Sequence, residues 1–224
     1  MRFYLLILLA PILLTACPRE ACDFQAYNFE IPATLSPAQE VYRIGDTITI
    51  SSRFVNLVPE RSTNQSYLLD SFNFRPIMIL EKLDTDTQQL STIDPLGFID
   101  NSLFQFGPFF GSIESIYSGI YNYDGVEYDL EFRFVVQETG IYYLSFGSSV
   151  ISNSQGSKYD FEGKMCPLKQ IGGIGTRLND GADNNVDLLL ESPVAWYNTK
   201  TYDRRDQQFG GFHYQGGYCF RVEE

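Results

Sequence analysis

Histidine is almost missing from this chain: there is one, His213, in 224 residues. A catalytic triad that needs an imidazole would have to use it. It lies in Gly210-Gly-Phe-His-Tyr-Gln-Gly-Gly217, and no Gly-x-Ser-x-Gly elbow exists to supply its nucleophile. A hydrogen-bonded or surface imidazole is the simpler reading. Basic residues are also scarce. Sixteen Lys and Arg stand against 28 Asp and Glu, a net charge of −12. That balance argues against nucleic acid, whose phosphates need a basic footprint, and against direct adsorption to anionic lipid. There are only four cysteines, none in a Cys-x-x-Cys spacing or beside the histidine, so no zinc site is expected. Beyond the N-terminus no apolar run approaches the roughly 20 residues that span a bilayer.

The N-terminus is where apolar residues concentrate. Met1-Arg2 precedes an apolar stretch from Phe3 to Ala16 that is short and contains Pro11, the pattern of a secretory signal rather than a membrane span. It ends Leu14-Thr15-Ala16-Cys17, which resembles the lipobox of bacterial lipoproteins. The resemblance implies cleavage before Cys17 and acylation of that cysteine, with stable anchoring once several chains are attached. Residues 1–16 are then a signal, 17–26 a tether, and 27–224 a single domain. Pro18 is not the aspartate associated with inner-membrane retention, which favours the outer membrane. If Cys17 carries lipid, Cys22, Cys166 and Cys219 remain in an oxidising compartment. Cys166 with Cys219 is the expected disulfide, since both lie in the loop-rich final third; Cys22 sits in the tether with no assigned role.

The strongest folding signal is Leu130-Glu-Phe-Arg-Phe-Val-Val-Gln-Glu-Thr-Gly-Ile-Tyr-Tyr-Leu-Ser-Phe146. Leu130, Phe132, Phe134 and Val136 alternate before a corner at Glu138-Thr139-Gly140, and Tyr142, Leu144 and Phe146 alternate after it, so one face of each strand enters a core. Glu138, Gly140, Tyr142 and Leu144 together resemble the E–F corner of immunoglobulin-like sandwiches, in which a tyrosine hydroxyl closes the turn. Leu144 stands where that family has its second cysteine. Tyr143, one step along the strand, is expected to face the other way and to tolerate Ser better than Tyr142 does. Val41-Tyr-Arg-Ile-Gly-Asp-Thr47 followed by alternating Ile48, Ile50, Ser52 and Phe54 resembles the A′–B segment of the same fold. Together with the N-terminal signal and the late Gly217-Tyr-Cys-Phe220 strand, the chain resembles lipid-anchored proteins of the Bacteroidota. The expected fold is all-β, an immunoglobulin-like antiparallel β-sandwich.

Elsewhere, Tyr27 to Pro32 reads as an edge strand closed by proline, Arg75 to Leu83 as a central strand, and Asp124-Gly125 as a hairpin turn. Leu90 to Ile93 is a candidate hairpin partner, and Gly97 to Ser112 a Phe- and Gly-rich loop or bulged edge. Gly172-Gly-Ile-Gly175 fits no phosphate-binding pattern and reads as a flexible turn, as does Ser152 to Ser157. Val186 to Glu191 reads as a short helix in the C-terminal third, stopped before Pro193 with Asp183 or Asn184 as its cap.

Three constellations remain as site candidates. Asn179 to Asp187 holds carboxylates and amides that calcium could use, but lacks the EF-hand spacing around Asp183. Glu127, Asp129 and Glu131 share a strand face by period two, which fits a wet sheet surface better than a glycosidase pair. The chain has 18 Phe, 15 Tyr and 1 Trp, and Trp196, Tyr197, Tyr202, Phe212 and Tyr214 crowd its C-terminal part, where rings could stack on a sugar or serve packing. The sequence therefore points to a non-enzymatic, cofactor-free lipoprotein. It would act as a binding or structural module of the cell envelope, with an envelope protein as partner, or alternatively as a carbohydrate-binding accessory of a glycan-uptake system.

Overall fold

The computed structural model describes residues 26–61, 63–84, 96–98, 105–106, 114–150, 161, 171–193 and 211–224. They form β1 (Tyr27–Ser36), β2 (Val41–Arg43), β3 (Thr47–Val55), β4 (Leu57–Glu60), β5 (Gln65–Leu68), β6 (Phe74–Lys82), β7 (Leu96–Phe98), β8 (Gln105–Phe106), β9 (Glu114–Ser118), β10 (Asn122–Tyr123), β11 (Glu127–Val136), β12 (Gly140–Val150), β13 (Ile171–Leu178) and β14 (Gly217–Glu223). The strands make two layers. One runs β11-β3-β1, with β10 and β7 on the free side of β11. The other runs β8-β9-β6-β12, after which β14 and β13 share the far edge of β12. β13 leads to the first half of β1 and then to the β4–β5 hairpin, and β14 leads to β2.

Period-two patterning builds the core. Ile48 and Ile50 of β3 and Tyr128, Leu130, Phe132 and Phe134 of β11 are buried and face Phe74, Met78, Leu144 and Phe146 from the other layer. Rings meet across the interface: Phe74 and Tyr128 at 4.7 Å, and Phe132 and Phe146 at 5.9 Å, separations at which edge and tilted pairs are favourable. Phe54 continues the β3 series and packs on Phe74 at 5.3 Å. The chain is therefore an all-β sandwich, but not a purely antiparallel one. β1 runs parallel to β13 from Tyr27 to Ala33, and β14 runs parallel to β2.

The expected corner is present. The Tyr142 hydroxyl donates to the Glu138 carbonyl at 3.0 Å, and the ring is fully buried, stacked on Phe220 at 5.5 Å. Burial above all, with Glu138 and Asp84 adding, pushes the Tyr142 pKa up and keeps the hydroxyl a neutral donor. The hairpin at Asp124-Gly125 is also present, with Gly125 at φ +102° and the Asp124 carboxylate accepting from Val126 and Glu127 N–H. Those two bonds hold the Asp124 carboxyl below its ordinary pKa. β6 is central, between β12 and β9.

Four expectations need correction. First, β1 does not stop at Pro32 and is not an edge. It continues to Ser36, has neighbours on both sides, and passes from one layer to the other. On its antiparallel side the rungs to β4 and β3 fall at Phe29 and at Thr34 onward. The Pro32 carbonyl turns into the gap between them and accepts from Ser52 Oγ at 2.6 Å. The absent N–H would point into the same gap, so no ladder bond is lost. Second, Gly172 to Gly175 is not a turn but part of β13. A Cβ at Gly175 would lie 2.3 Å from Tyr214 Cε2, and one at Gly173 would lie 2.8 Å from the Tyr214 hydroxyl. The glycines let the Tyr214 ring lie directly on the strand.

Third, Tyr143 does point away from Tyr142, yet only 3% of it is exposed. A second apolar cluster covers that face: Leu83, Ile141, Tyr143, Val186, Leu188, Leu189, Phe212 and Cys219. Fourth, Val186–Glu191 in that cover is 3₁₀, not α, and neither Asp183 nor Asn184 caps it. Its N-cap is Asn185 in the left-handed region, with no side-chain capping bond. The asparagines instead pin the connector. Asn179 accepts from Leu35 N–H at 2.8 Å, Asn184 donates to the Leu178 carbonyl at 3.2 Å, and Asn185 donates to the Cys219 carbonyl at 2.9 Å. All three have positive φ, which asparagine tolerates better than most residues.

Candidate binding surface

Odd-numbered residues of β3 face outward, as period two requires. Arg53 on this face lies between two carboxylates of β11, at 3.0 Å from Glu127 and 2.9 Å from Asp129. This places Glu127 and Asp129 in a solvated cross-strand ion pair, of the kind that contributes little to stability. Past Arg53 the same face turns apolar. Val55 and Leu57 follow at two-residue intervals across the bend at Asn56, and Leu68 is the register partner of Leu57. Asn56 N–H donates to the Val126 carbonyl at 2.8 Å, and Leu69 N–H donates to the Asn56 carbonyl at 2.7 Å, so these residues surround one backbone crossing. Val55, Leu57, Leu68 and Val126 are 51, 54, 57 and 62% exposed.

The rim of this aliphatic patch is acidic. Beside Glu127 and Asp129 stand Asp124, at the hairpin turn, and Asp70, which accepts from the Tyr123 hydroxyl. Asn56 Nδ2 in turn donates to that hydroxyl at 3.0 Å, so the polar groups nearest the patch are tied into the fold. The bond to Asp70 raises the Tyr123 pKa. Among the described residues Arg53 is the cation paired with this group, to Glu127 and Asp129, and the four acids outnumber it.

Nothing in the sequence singled out this patch. Val55 and Leu57 look like two more strand residues, and only the bend and the β4–β5 pairing show that they face water. Of the rings proposed as a ligand platform, Phe212 is fully buried in the second cluster, stacked on Tyr143 at 5.8 Å. Tyr214 has one side against the β13 glycines and the Arg61 guanidinium 4.9 Å from its centroid. Trp196, Tyr197 and Tyr202 lie outside the described residues, as do Cys17, Cys22 and Cys166. Cys219 is buried beneath the 3₁₀ segment. The stretches 90–93 and 152–157 also lie outside the described residues. Among the described residues no group of three or more His, Cys, Asp or Glu side chains is placed to hold a metal ion. The amides of Asn179, Asn184 and Asn185 in the acidic stretch serve the fold as set out above.

No family model and no curated protein matches the chain. Among solved structures it is similar to the human F-spondin reeler domain, with 9% identity over 58% of this chain and 80% of that one, at a TM-score of 0.32. It is also similar to the type II cohesin dyad of the adaptor ScaA scaffoldin of Acetivibrio cellulolyticus, with 13% identity over 66% of this chain and 46% of that one, at a TM-score of 0.28. The second type II cohesin module of the same scaffoldin gives 9% identity over 68% of this chain and 96% of that one, at 0.26. Likenesses this distant do not bear on what the chain binds.

Proposed function

We propose that the chain is a non-catalytic binding module of the bacterial envelope. It would be held at the outer membrane by lipid on Cys17 and would engage a protein partner through the aliphatic patch around Leu57 and Leu68. One observation carries the choice of a protein over a glycan. Among the described residues, every large apolar side chain that is exposed is aliphatic: Val41, Ile44, Val55, Leu57, Leu68, Ile120, Val126 and Leu190. Sugar recognition by stacking needs open aromatic faces, whereas clustered aliphatics exclude water against another polypeptide. The acidic rim specifies the partner further: a segment with aliphatic side chains flanked by Lys or Arg, since opposite charges steer encounter and fix register.

The test is an array of short peptides probed with the soluble form lacking residues 1–17, beside a glycan array. Enrichment of aliphatic peptides with basic flanks is expected. Leu57→Asp should lower binding by about tenfold or more, the scale of losing a central apolar contact, without shifting the melting temperature. Peptide binding indifferent to Leu57→Asp would overturn the assignment, as would binding confined to the glycan array. The anchor is tested separately by mass spectrometry of the N-terminal peptide and detergent partitioning. An unmodified Cys17 in an aqueous-phase protein would refute it.

A further inference from the structure

β5 pairs with β4, and among the described residues no strand lies along its other side. The rungs fix which backbone groups face that open side. Leu69 N–H donates to the Asn56 carbonyl at 2.7 Å. By the two-residue alternation of an antiparallel ladder, Tyr67 and Gln65 then bond back to Val58 and Glu60, while Leu57 with Leu68 and Pro59 with Ser66 are the non-bonded rungs. Pro59 fits this phase, because it has no N–H to offer and its rung needs none. The N–H and C=O groups of Ser66 and Leu68 therefore point away from β4, and both residues are exposed. β2 shows how the same chain closes an edge. There the Arg43 N–H donates to the Asp46 carboxylate at 2.8 Å, and the Arg43 carbonyl accepts from Asp46 N–H at 3.0 Å, which occupies groups that a foreign strand would use. Among the described residues no such contact covers Ser66 or Leu68.

We infer that the partner binds as an extended segment added antiparallel to the open edge of β5; the inference rests on the reading of the aliphatic patch as a protein-binding surface. Main-chain bonds to Ser66 and Leu68 hold the added strand, and its alternate side chains fall beside Leu68. Leu57 and Leu68 face each other across a non-bonded rung, where side chains stand closest, so a Val or Leu opposite Leu68 extends an aliphatic row already begun. Asp70 is exposed two residues past Leu68, and Asp124 is exposed at the hairpin turn next to Tyr123, whose hydroxyl donates to Asp70. A Lys or Arg at the end of the added segment meets these carboxylates. The same charges disfavour a second copy of this chain as the occupant. From Thr63 to Asp70 the chain carries no Lys or Arg, so self-pairing through β5 brings no base to the acidic rim.

The probe is the peptide acetyl-Lys-Thr-Val-Thr-Val-Thr-Lys-amide, in which Lys and Val share one face by period two. Hydrogen–deuterium exchange, resolved to single amides, is followed on the full chain with and without it. In the free chain the Ser66 and Leu68 amides should exchange fast while that of Tyr67 is protected. Added peptide should slow the first two. In antiparallel pairing the valine N–H groups point at β5 and the threonine ones away from it. N-methylation of one Val should therefore weaken binding by about tenfold, the scale of a lost hydrogen bond, and N-methylation of the Thr between the two should not. Ser66→Pro removes an outward N–H and no bond to β4, so it should weaken binding by a similar factor; should it fail to fold, the methylated peptides decide. Slow exchange of Ser66 and Leu68 in the dilute free chain would overturn the inference. So would exchange unaltered by the peptide, or protection that grows with protein concentration alone, which would assign the edge to a second copy. Binding indifferent to the methylated position but lost in Leu57→Asp would remove the strand geometry and keep the patch. Binding sensitive to that position but not to Leu57→Asp would keep the edge and remove the patch.

Discussion

The corner tyrosine offers the sharpest test of the fold. Tyr142→Phe removes one oxygen and leaves the ring, its burial and its stack on Phe220 in place. The lost interaction is the 3.0 Å bond to the Glu138 carbonyl. A single intramolecular hydrogen bond contributes about 0.5–1.5 kcal/mol net. In a domain of this size 1 kcal/mol moves the melting temperature by roughly 2–4 °C, so a fall of about 1–6 °C is expected. Tyr143 is the control, and the structure changes what it should show. Its hydroxyl is only 3.4 Å from Gln215 Oε1, a weak contact, so Tyr143→Phe should cost less than Tyr142→Phe. Its ring is buried against Phe212, so Tyr143→Ser should cost about 3–5 kcal/mol, as other large-to-small aromatic substitutions do. The assay is chemical denaturation with matched slopes, so that midpoints compare stability. The reasoning fails if Tyr143→Phe destabilises more than Tyr142→Phe, or if Tyr143→Ser is silent.

Three further outcomes are expected. Gly175→Ala forces a methyl against the Tyr214 ring, 2.3 Å from Cε2, and should cost about 1–3 kcal/mol; combining it with Tyr214→Ala should recover part of that loss, and strict additivity would show that the two do not touch. Loss of solvation lowers the His213 pKa from its ordinary 6.5, opposed by Asp183, so the neutral ring is favoured in the fold. Its contribution is complete above about pH 6.5 and is lost as pH falls below that value. Denaturation midpoints measured from about pH 7 down to pH 5 should therefore fall less steeply for His213→Gln than for the wild type, and equal slopes would refute the assignment. Under the envelope location proposed above, non-reducing peptide mapping should find Cys166 joined to Cys219, a crosslink for which chain-entropy reasoning gives roughly 4 kcal/mol at most; a peptide joining Cys22 to either would show another pairing.

What could be read in the sequence was the inner sandwich. The β3 and β11 alternations declare themselves because one face of each strand is wet or polar, so period two survives in the residue order; the corner shows in the Glu138, Gly140 and Tyr142 spacing, and the central β6 in its almost continuous apolar run. The second cluster left no such trace. Tyr143 lies on the face that alternation assigns to solvent, and only the 3₁₀ segment, Phe212 and Cys219 folded over it make that face dry. β13 was hidden for a different reason: Gly172, Gly173 and Gly175 carry no side chains to alternate, and their purpose is visible only once Tyr214 lies on them. Pro32 misled because the rule against proline inside a sheet assumes an unbroken ladder on both sides, and β1 changes layers at that point. The aliphatic patch escaped because a residue's exposure at a strand bend depends on the neighbouring hairpin, not on its own sequence.

The passage of β1 through both layers has a consequence for how the chain reaches its native state. The first half of β1 lies between β13 and the β4–β5 hairpin, and the Leu35 N–H that follows waits for Asn179, 144 positions later in the chain. A polypeptide that emerges N-terminus first therefore presents Tyr27, Phe29 and Ile31 long before the strand that pairs with them in parallel exists. Contacts of such separation pay loop-closure entropy before they return anything, which slows folding. Until β13 arrives, the β1 segment carries an unpaired edge and a row of buried-type side chains, the combination most prone to mispairing with another chain. Folding of this protein should therefore wait for the end of the chain rather than proceed from its beginning, and truncation before residue 171 should yield aggregates rather than a smaller sandwich.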